Sequence, residues 1–235
     1  MQPVTRSLGH CLTFDIEEHF QVSAFESPMR RRHWEKFESR VERSTFKVLE
    51  MLEKHGLRAT FFILGWVAER NRGMVRAIAE GGHEVASHGY GHELIMTQAP
   101  VQFREDVRKA KHILEDIIGQ AVLGYRAPSF TITRETLWAL PILVEEGHKY
   151  DSSIFPTLHG LYGIPTAPPH CHLLDTSAGS LWEIPPSTAR IAGIRIPVAG
   201  GAYLRLLPIP YAPMVIAESG IVRSTHRAVH SLVGI

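Results

Sequence analysis

Cysteine is nearly absent: Cys11 and Cys171 are the only two in 235 residues. Two thiols cannot build a disulfide framework or the cysteine-rich cage of a structural zinc site. Cys11 falls in an apolar run and is expected to be a small buried residue. An excess of one charge is also missing. Lys and Arg number 25 against 24 Asp and Glu, for a formal net charge of +1, which recommends neither nucleic acid nor an anionic membrane as partner. No apolar run approaches the roughly 18–20 residues of a membrane span, so no transmembrane segment is expected. Met1 to His10 lacks the apolar core of a signal peptide, so the expected location is cytoplasmic. What is present, 44% hydrophobic and 21% charged residues, suits a globular protein with a sizeable core.

A repeating pattern organises the chain. Helix-like stretches end in glycine and are followed by short apolar or β-branched runs. Ser44 can cap a helix with Phe46, Leu49 and Leu52 on one face, closed by Gly56 ahead of Ala59-Thr60-Phe61-Phe62-Ile63-Leu64. A helix around Met74, Val75 and Ile78 ends at Gly81-Gly82, before the strand-like Glu84-Val85-Ala86. Another, with Phe103, Val107, Ala110, Ile113 and Ile117 inward, ends at Gly119 before Val122-Leu123-Gly124-Tyr125. Thr133 can cap a helix through Leu137, Leu140 and Val144, kinked at Pro141 and ending at Gly147 before Tyr150-Asp151. Strands alternating with helices predict an α/β fold with a mostly parallel sheet, and five such units fit a barrel better than a small open sheet. The polar stretch over 21–43, whose densest basic patch is Met29-Arg30-Arg31-Arg32-His33, is expected to be a solvated insertion, with a grip on an anionic or sugar polymer as the less favoured alternative.

Chemistry-bearing residues fall where the strands end. Asp15 and Glu17 follow the first strand, His88 and His92 the third, and Arg126 the fourth. In a β/α barrel such positions share one face, and that face carries the active site. The two glycines between His88 and His92 disfavour a helix there and favour a tight turn that brings the two rings together. One carboxylate with two histidines is an accepted metal set that leaves positions open for water and substrate. A second carboxylate can then act as a base, and Arg126 and the rigid Pro128 stand beside it. An iron oxygenase would use similar ligands, but its His-x-Asp/Glu pairing is absent near His88. His170-Cys171-His172 follows Pro168-Pro169 and reads as a loop; Trp138 and Trp182 read as packing residues.

Four ordered stretches carry a family resemblance: Thr13-Phe14-Asp15-Ile16-Glu17, Ser87-His88-Gly89-Tyr90-Gly91-His92, Arg126-Ala127-Pro128-Ser129 and Tyr150-Asp151-Ser152-Ser153. The chain resembles the polysaccharide deacetylases with a NodB-homology domain, carbohydrate esterase family 4. Phe20-Gln21-Val22-Ser23-Ala24-Phe25 resembles the branch found beside exopolysaccharide and exosortase genes. The resemblance implies a distorted, incomplete (β/α) barrel over residues 11–210, after a lead-in over 1–10 and before a divergent tail over 211–235. It implies metal-dependent hydrolysis of N-acetyl carbon–nitrogen bonds in a glycan. Asp15 takes the part of general base and Arg126 orients it. Glu17, His88 and His92 take the part of ligands to zinc or a similar divalent ion, with Glu18 in reserve. Asp151, Pro128 and Glu183 become pocket positions. An allantoinase-like amidohydrolase and a catalytically impaired sugar-binding relative are the alternatives; the expected partner is an N-acetylated glycan, and an oligomer is possible. Relatives continue past Leu206-Leu207-Pro208 to a strand whose histidine protonates the leaving amine. Here Pro210-Tyr211-Ala212-Pro213 and a tail with His226 and His230 stand instead, so the expectation is a truncated or frame-shifted end and a poorly soluble, nearly inactive chain.

Overall fold

The structure, a computed structural model, describes residues 11–22, 31–191 and 194–198. Short apolar stretches become the strands of one seven-stranded sheet: β1 (Thr13–Ile16), β2 (Thr60–Ile63), β3 (Glu84–Ser87), β4 (Gly124–Tyr125), β5 (Tyr150–Asp151), β6 (His172–Thr176) and β7 (Gly179–Glu183), in the order β1-β2-β3-β4-β5-β7-β6. Neighbours from β1 to β5, and β5 with β7, are parallel, whereas β6 and β7 pair antiparallel. A separate pair, β8 (Thr188–Ile191) and β9 (Ile194–Pro197), is antiparallel.

Every residue of β2 is buried, as a parallel strand covered on both faces requires. Phe61 and Ile63 pack with Ile16, Val67, Met74 and Ile78 under the helices, while Phe62 packs with Ala86, Tyr150 and Trp182 on the opposite face. The helices are α1 (Val41–Lys54), α2 (Gly65–Arg70), α3 (Arg72–Glu80), α4 (Pro100–Ile118) and α5 (Ala139–Glu145). α4 follows its sequence signals closely. Proline occupies the first turn, Phe103, Val107, Ala110, Leu114 and Ile117 are buried, and Gly119 closes the helix at φ 68°.

Side chains cross the sheet at this end: Arg126, just after β4, reaches Asp15 of β1 at 2.7 Å. The mostly parallel sheet with its helices is the α/β arrangement that the sequence predicts, with no ladder between β1 and β6 among the described residues. No helix there is long and apolar enough to cross a membrane.

Several local expectations are corrected. α1 starts at Val41, ahead of Ser44, and Phe46 is exposed rather than inward. The cause is remote: the Glu18 carboxylate accepts hydrogen bonds from Arg40 N and Ser39 Oγ, so a residue far back in the chain fixes the helix start. α5 starts at Ala139 instead of Thr133, with Leu137 exposed. Pro141 therefore sits in the first turn, where its missing N–H costs nothing and produces no kink. Cys11 is exposed. The 31–43 part of the supposed solvated insertion is anchored by Trp34, which is buried beside Phe20 and Trp66. His172 belongs to β6 rather than to a loop, while Trp138 packs edge-on against Phe103.

Candidate metal and catalytic centre

The parallel strands deliver their following residues to one end of the sheet, and five side chains meet there. Glu17 leaves the end of β1, and His88 the end of β3. The turn Gly89–His92 then folds His92 back so that the two imidazole rings stand 5.5 Å apart. His92 adopts a left-handed backbone at φ 53°, a conformation uncommon for a residue other than glycine. Gly89 stands at φ 75°, and a Cβ there would lie 2.7 Å from the Asp106 carboxylate, so a side chain would be strained and would displace Asp106.

Glu17 Oε2 lies 2.7 Å from His92 Nε2 and 3.9 Å from His88 Nε2. Among the described residues, this trio is the one group of three acidic, histidine or cysteine side chains whose ligand atoms all lie within 4.8 Å of one another. Donor atoms around a tetrahedral ion bound at about 2.0–2.1 Å stand roughly 3.4 Å apart, so the spacing suits a small divalent cation. The electronics suit it too. His88 Nδ1 lies 2.8 Å from Arg126 O. A carbonyl oxygen can only accept, so Nδ1 carries the proton and Nε2 presents its lone pair to the site. Burial pushes the His88 imidazole below its usual pKa, against the pull of Asp15 and Glu17, which favours the neutral form that a ligand needs. Glu17 Oε2, although close to His92, is buried without an aligned hydrogen-bond donor. An orphaned carboxylate oxygen facing two imidazoles is what a cation would satisfy, and the residues present fit one.

Glu18 takes no part, because its carboxylate is committed to Arg40 N and Ser39 Oγ. The choice between the two adjacent acids is thus made by where the chain turns after β1.

Asp15 faces the same end from within β1. Arg126 Nη1 donates to Asp15 Oδ1 at 2.7 Å and to Thr13 Oγ1 at 3.0 Å, and its other nitrogens donate to Ser152 O and Ser152 Oγ. The guanidinium is buried and lies 4.0 Å over the Phe62 ring. Burial alone would raise the Asp15 pKa. Arg126 above all, then His88 and His92, outweigh it and hold the carboxyl below its usual range. Asp15 is therefore an ionised carboxylate at neutral pH with one oxygen held in place.

The three expected pocket residues are all buried. Pro128 opens a tight helical turn, Pro128–Phe130, in which Ser129 and Phe130 have φ of 52° and 54°. Asp151 and Glu183 are register partners on β5 and β7 and are fully buried. Ser153 Oγ donates to Asp151 Oδ1 at 2.5 Å, and Ile154 N donates to Glu183 Oε1 at 3.1 Å. Burial pushes Asp151 up to about 6 and Glu183 well above the carboxylate range. The link to Arg126 runs through the next two residues: Ser152 accepts from the Arg126 side chain, and Ser153 Oγ accepts from Ala127 N at 2.7 Å.

Sequence reasoning missed Ser152 as the second anchor of Arg126, although it lies in a stretch that was singled out. It missed Asp106 and the part Arg31 plays at this turn. Asp106 carries a legible signal, an acid on the same apolar stripe of α4 as Phe103 and Ala110; Arg31 stands out only as a member of the basic run Arg30-Arg31-Arg32. The tail residues His226 and His230 lie outside the described residues.

Comparison with known proteins gives two family matches. Residues 27–143 match the polysaccharide deacetylase model, and residues 152–227 match a domain of unknown function (DUF3473). The second match crosses residue 210, where the sequence placed the start of a divergent tail. A peptidoglycan deacetylase of Helicobacter pylori is 32% identical over 108 residues, 46% of this chain and 36% of that protein. A peptidoglycan deacetylase-like protein of Gibberella zeae is 28% identical over 181 residues, 76% of this chain and 52% of that one. The chain thus spans between about a third and about half the length of these relatives. A crystal structure from Mycobacterium smegmatis, described as a candidate polysaccharide deacetylase, superposes with a TM-score of 0.62 and 25% identity, covering 80% of this chain and 61% of that one.

Proposed function

This chain belongs to the polysaccharide deacetylase family, and we propose that it hydrolyses the N-acetyl amide bonds of a glycan with the help of a divalent ion, zinc in the first instance. The observation that carries the reading is the juxtaposition of two devices at one end of the sheet. One is the trio Glu17, His88 and His92; the other is a carboxylate, Asp15, fixed by a buried arginine. An amide is a weak electrophile and water a weak nucleophile, so both must be activated. When bound, a divalent ion polarises a carbonyl and makes water more acidic. Two histidines and one carboxylate, with room for water and substrate, suit zinc.

The rest is the work of this chain's own groups. With Asp15 Oδ1 engaged by Arg126, Oδ2 is the oxygen that receives the proton of the attacking water. Arg126 keeps the carboxylate ionised and aimed, and is itself held by Thr13 and Ser152. His88, with its proton fixed on Nδ1 by the Arg126 carbonyl, presents one lone pair and does not serve as the acid. Arg126 thus acts twice, through its side chain on the base and through its backbone on a ligand.

The test is acetate release from N-acetylglucosamine oligomers by the zinc-loaded chain, compared with protein stripped of metal and with Asp15→Asn. Release that needs both the ion and Asp15 supports the reading. A metal-loaded chain that opens cyclic amides and frees no acetate would replace it with the allantoinase-like alternative. Retention of glycan without hydrolysis would replace it with a sugar-binding role.

A further inference from the structure

We infer that Asp106 and Arg31 are positioning residues of the metal centre: together they clamp the turn Gly89–His92 and so aim the His92 ring at Glu17. The inference rests on reading Glu17, His88 and His92 as a metal site. The two histidines are oriented by different means. His88 has a ring partner, the Arg126 carbonyl at 2.8 Å. The His92 ring has no such partner outside the trio: Nε2 faces Glu17, and the buried Nδ1 lacks a hydrogen bond. The direction of His92 therefore comes from its backbone, which stands at φ 53°. A left-handed residue other than glycine costs about 1–2 kcal/mol and persists only where its surroundings hold it.

Those surroundings can be followed peptide group by peptide group. The N–H groups of Tyr90 and Gly91 donate to the two oxygens of Asp106, at 2.8 and 3.1 Å. The carbonyls of Gly89 and Tyr90 accept from Gly65 N and Trp66 N at the start of α2, at 2.9 and 3.1 Å. The Gly91 carbonyl accepts from Arg31 Nη1 at 2.6 Å, and the His92 carbonyl more weakly from Nη2 at 3.5 Å. Gly91 is gripped between the two side chains: a Cβ there would stand 3.1 Å from Arg31 Nη1 and 3.9 Å from Asp106 Oδ1.

Neither clamp residue is placed by chance. Asp106 rises from α4 next to the buried Val107. A carboxylate in such a setting is costly unless its oxygens are hydrogen-bonded, and here both are spent on the turn. An amide in its place offers one acceptor where two are needed. Arg31 comes from the segment after β1, where its guanidinium lies 4.9 Å over the ring of the buried Trp34 and also pairs with Glu93 at 3.0 Å. The segment that composition marks as solvated thus reaches across 60 positions to the ligand turn.

The experiment measures zinc affinity of the full chain by competition with a chromophoric chelator. Wild type is compared with Arg31→Met, which keeps the stem over Trp34, and with Asp106→Asn. Arg40→Met, which removes an exposed pair with Glu38, is the control. Loss of groups that orient a ligand weakens metal binding roughly 10–100-fold, and that fall is expected for both clamp variants and not for the control. The double variant should lose less than the product of the two single effects, because both act through one turn. Arg31→Lys should recover part of the loss. Thermal unfolding of the metal-free forms separates the alternatives. An Arg31→Met protein with a lower melting temperature but zinc affinity within twofold of wild type would make the contact merely structural and overturn the inference. Because Arg31 is partly exposed, that variant decides the matter even if Asp106→Asn fails to fold. Zinc bound equally by wild type and variants removes the clamp and leaves the centre standing; no zinc on wild type removes both.

Discussion

His148 gives the sharpest test of the packing beneath the centre. It lies at the end of the α5–β5 connection, 1% exposed, with its ring 5.7 Å from that of Tyr125. Neither ring nitrogen has a hydrogen bond of good geometry, although the Leu123 and Gly124 backbone is near enough to favour the charged form weakly. Burial, followed by the Lys111 ammonium, pushes the imidazole from 6.5 down to about 3, against a smaller pull from Glu146. The sign follows from proton counting. Between these two values the unfolded chain binds a proton that the folded chain does not, so stability is full above pH 6.5 and drains as pH falls toward 3. Linkage puts the loss at about 2 kcal/mol by pH 5 and about 3 kcal/mol by pH 4. That is a large part of the 5–15 kcal/mol typical of a whole domain. His148→Leu removes the titrating ring and two unsatisfied nitrogens at similar volume. Its stability at pH 7 should stay within about 1 kcal/mol of wild type, the range of volume-conserving core changes. The assay is urea unfolding followed by tryptophan fluorescence at half-unit steps from pH 4 to 8. The variant's curve should stay flatter on the acid side, with a difference that opens below pH 6.5. Parallel curves for the two proteins between pH 5 and pH 7 would refute the reasoning.

Three other outcomes are expected around the centre. Asp15→Asn should keep zinc binding and lower turnover by about 10²–10⁴, the range for a lost general base, while Glu17→Gln should weaken zinc itself; metal analysis after dialysis alongside acetate release would expose a reversed assignment. Glu18→Ala should leave zinc content unchanged but lower stability by about 1–3 kcal/mol, the cost of removing a buried hydrogen-bond partner at the start of α1, and loss of zinc on that substitution would mean that Glu18 had been misplaced. Gly89→Ala should be destabilised beyond the roughly 1–2 kcal/mol of a left-handed alanine, because its Cβ would press on Asp106; denaturant midpoints for metal-free protein measure this.

Local chemistry determined much of this protein in advance. Hydrophobic period and a left-handed glycine just past the end, Gly82 and Gly119, define α3 and α4, because helix patterning and such a stop are properties of a few consecutive residues. Strand ends carrying Asp15, Glu17, His88, His92 and Arg126 point to one shared face, because parallel strands joined by helices all end on the same side. The alternating unit also accounts for the sheet order from β1 to β5. What the sequence left open depends on distances along the chain that no local window spans. Glu17 and Glu18 are chemically near-equivalent neighbours, and only the turn after β1, which hands Glu18 to α1, separates ligand from cap. The start of α1 and the burial of Trp34 follow from contacts with residues about 14–32 positions away. The tautomer of His88 depends on a carbonyl 38 residues ahead, and the direction of His92 on Asp106 and Arg31, at 14 and 61 positions. Residue types announced that a metal centre could form here; the shared end of the parallel strands and the hydrogen bonds around one four-residue turn decided which atoms face it.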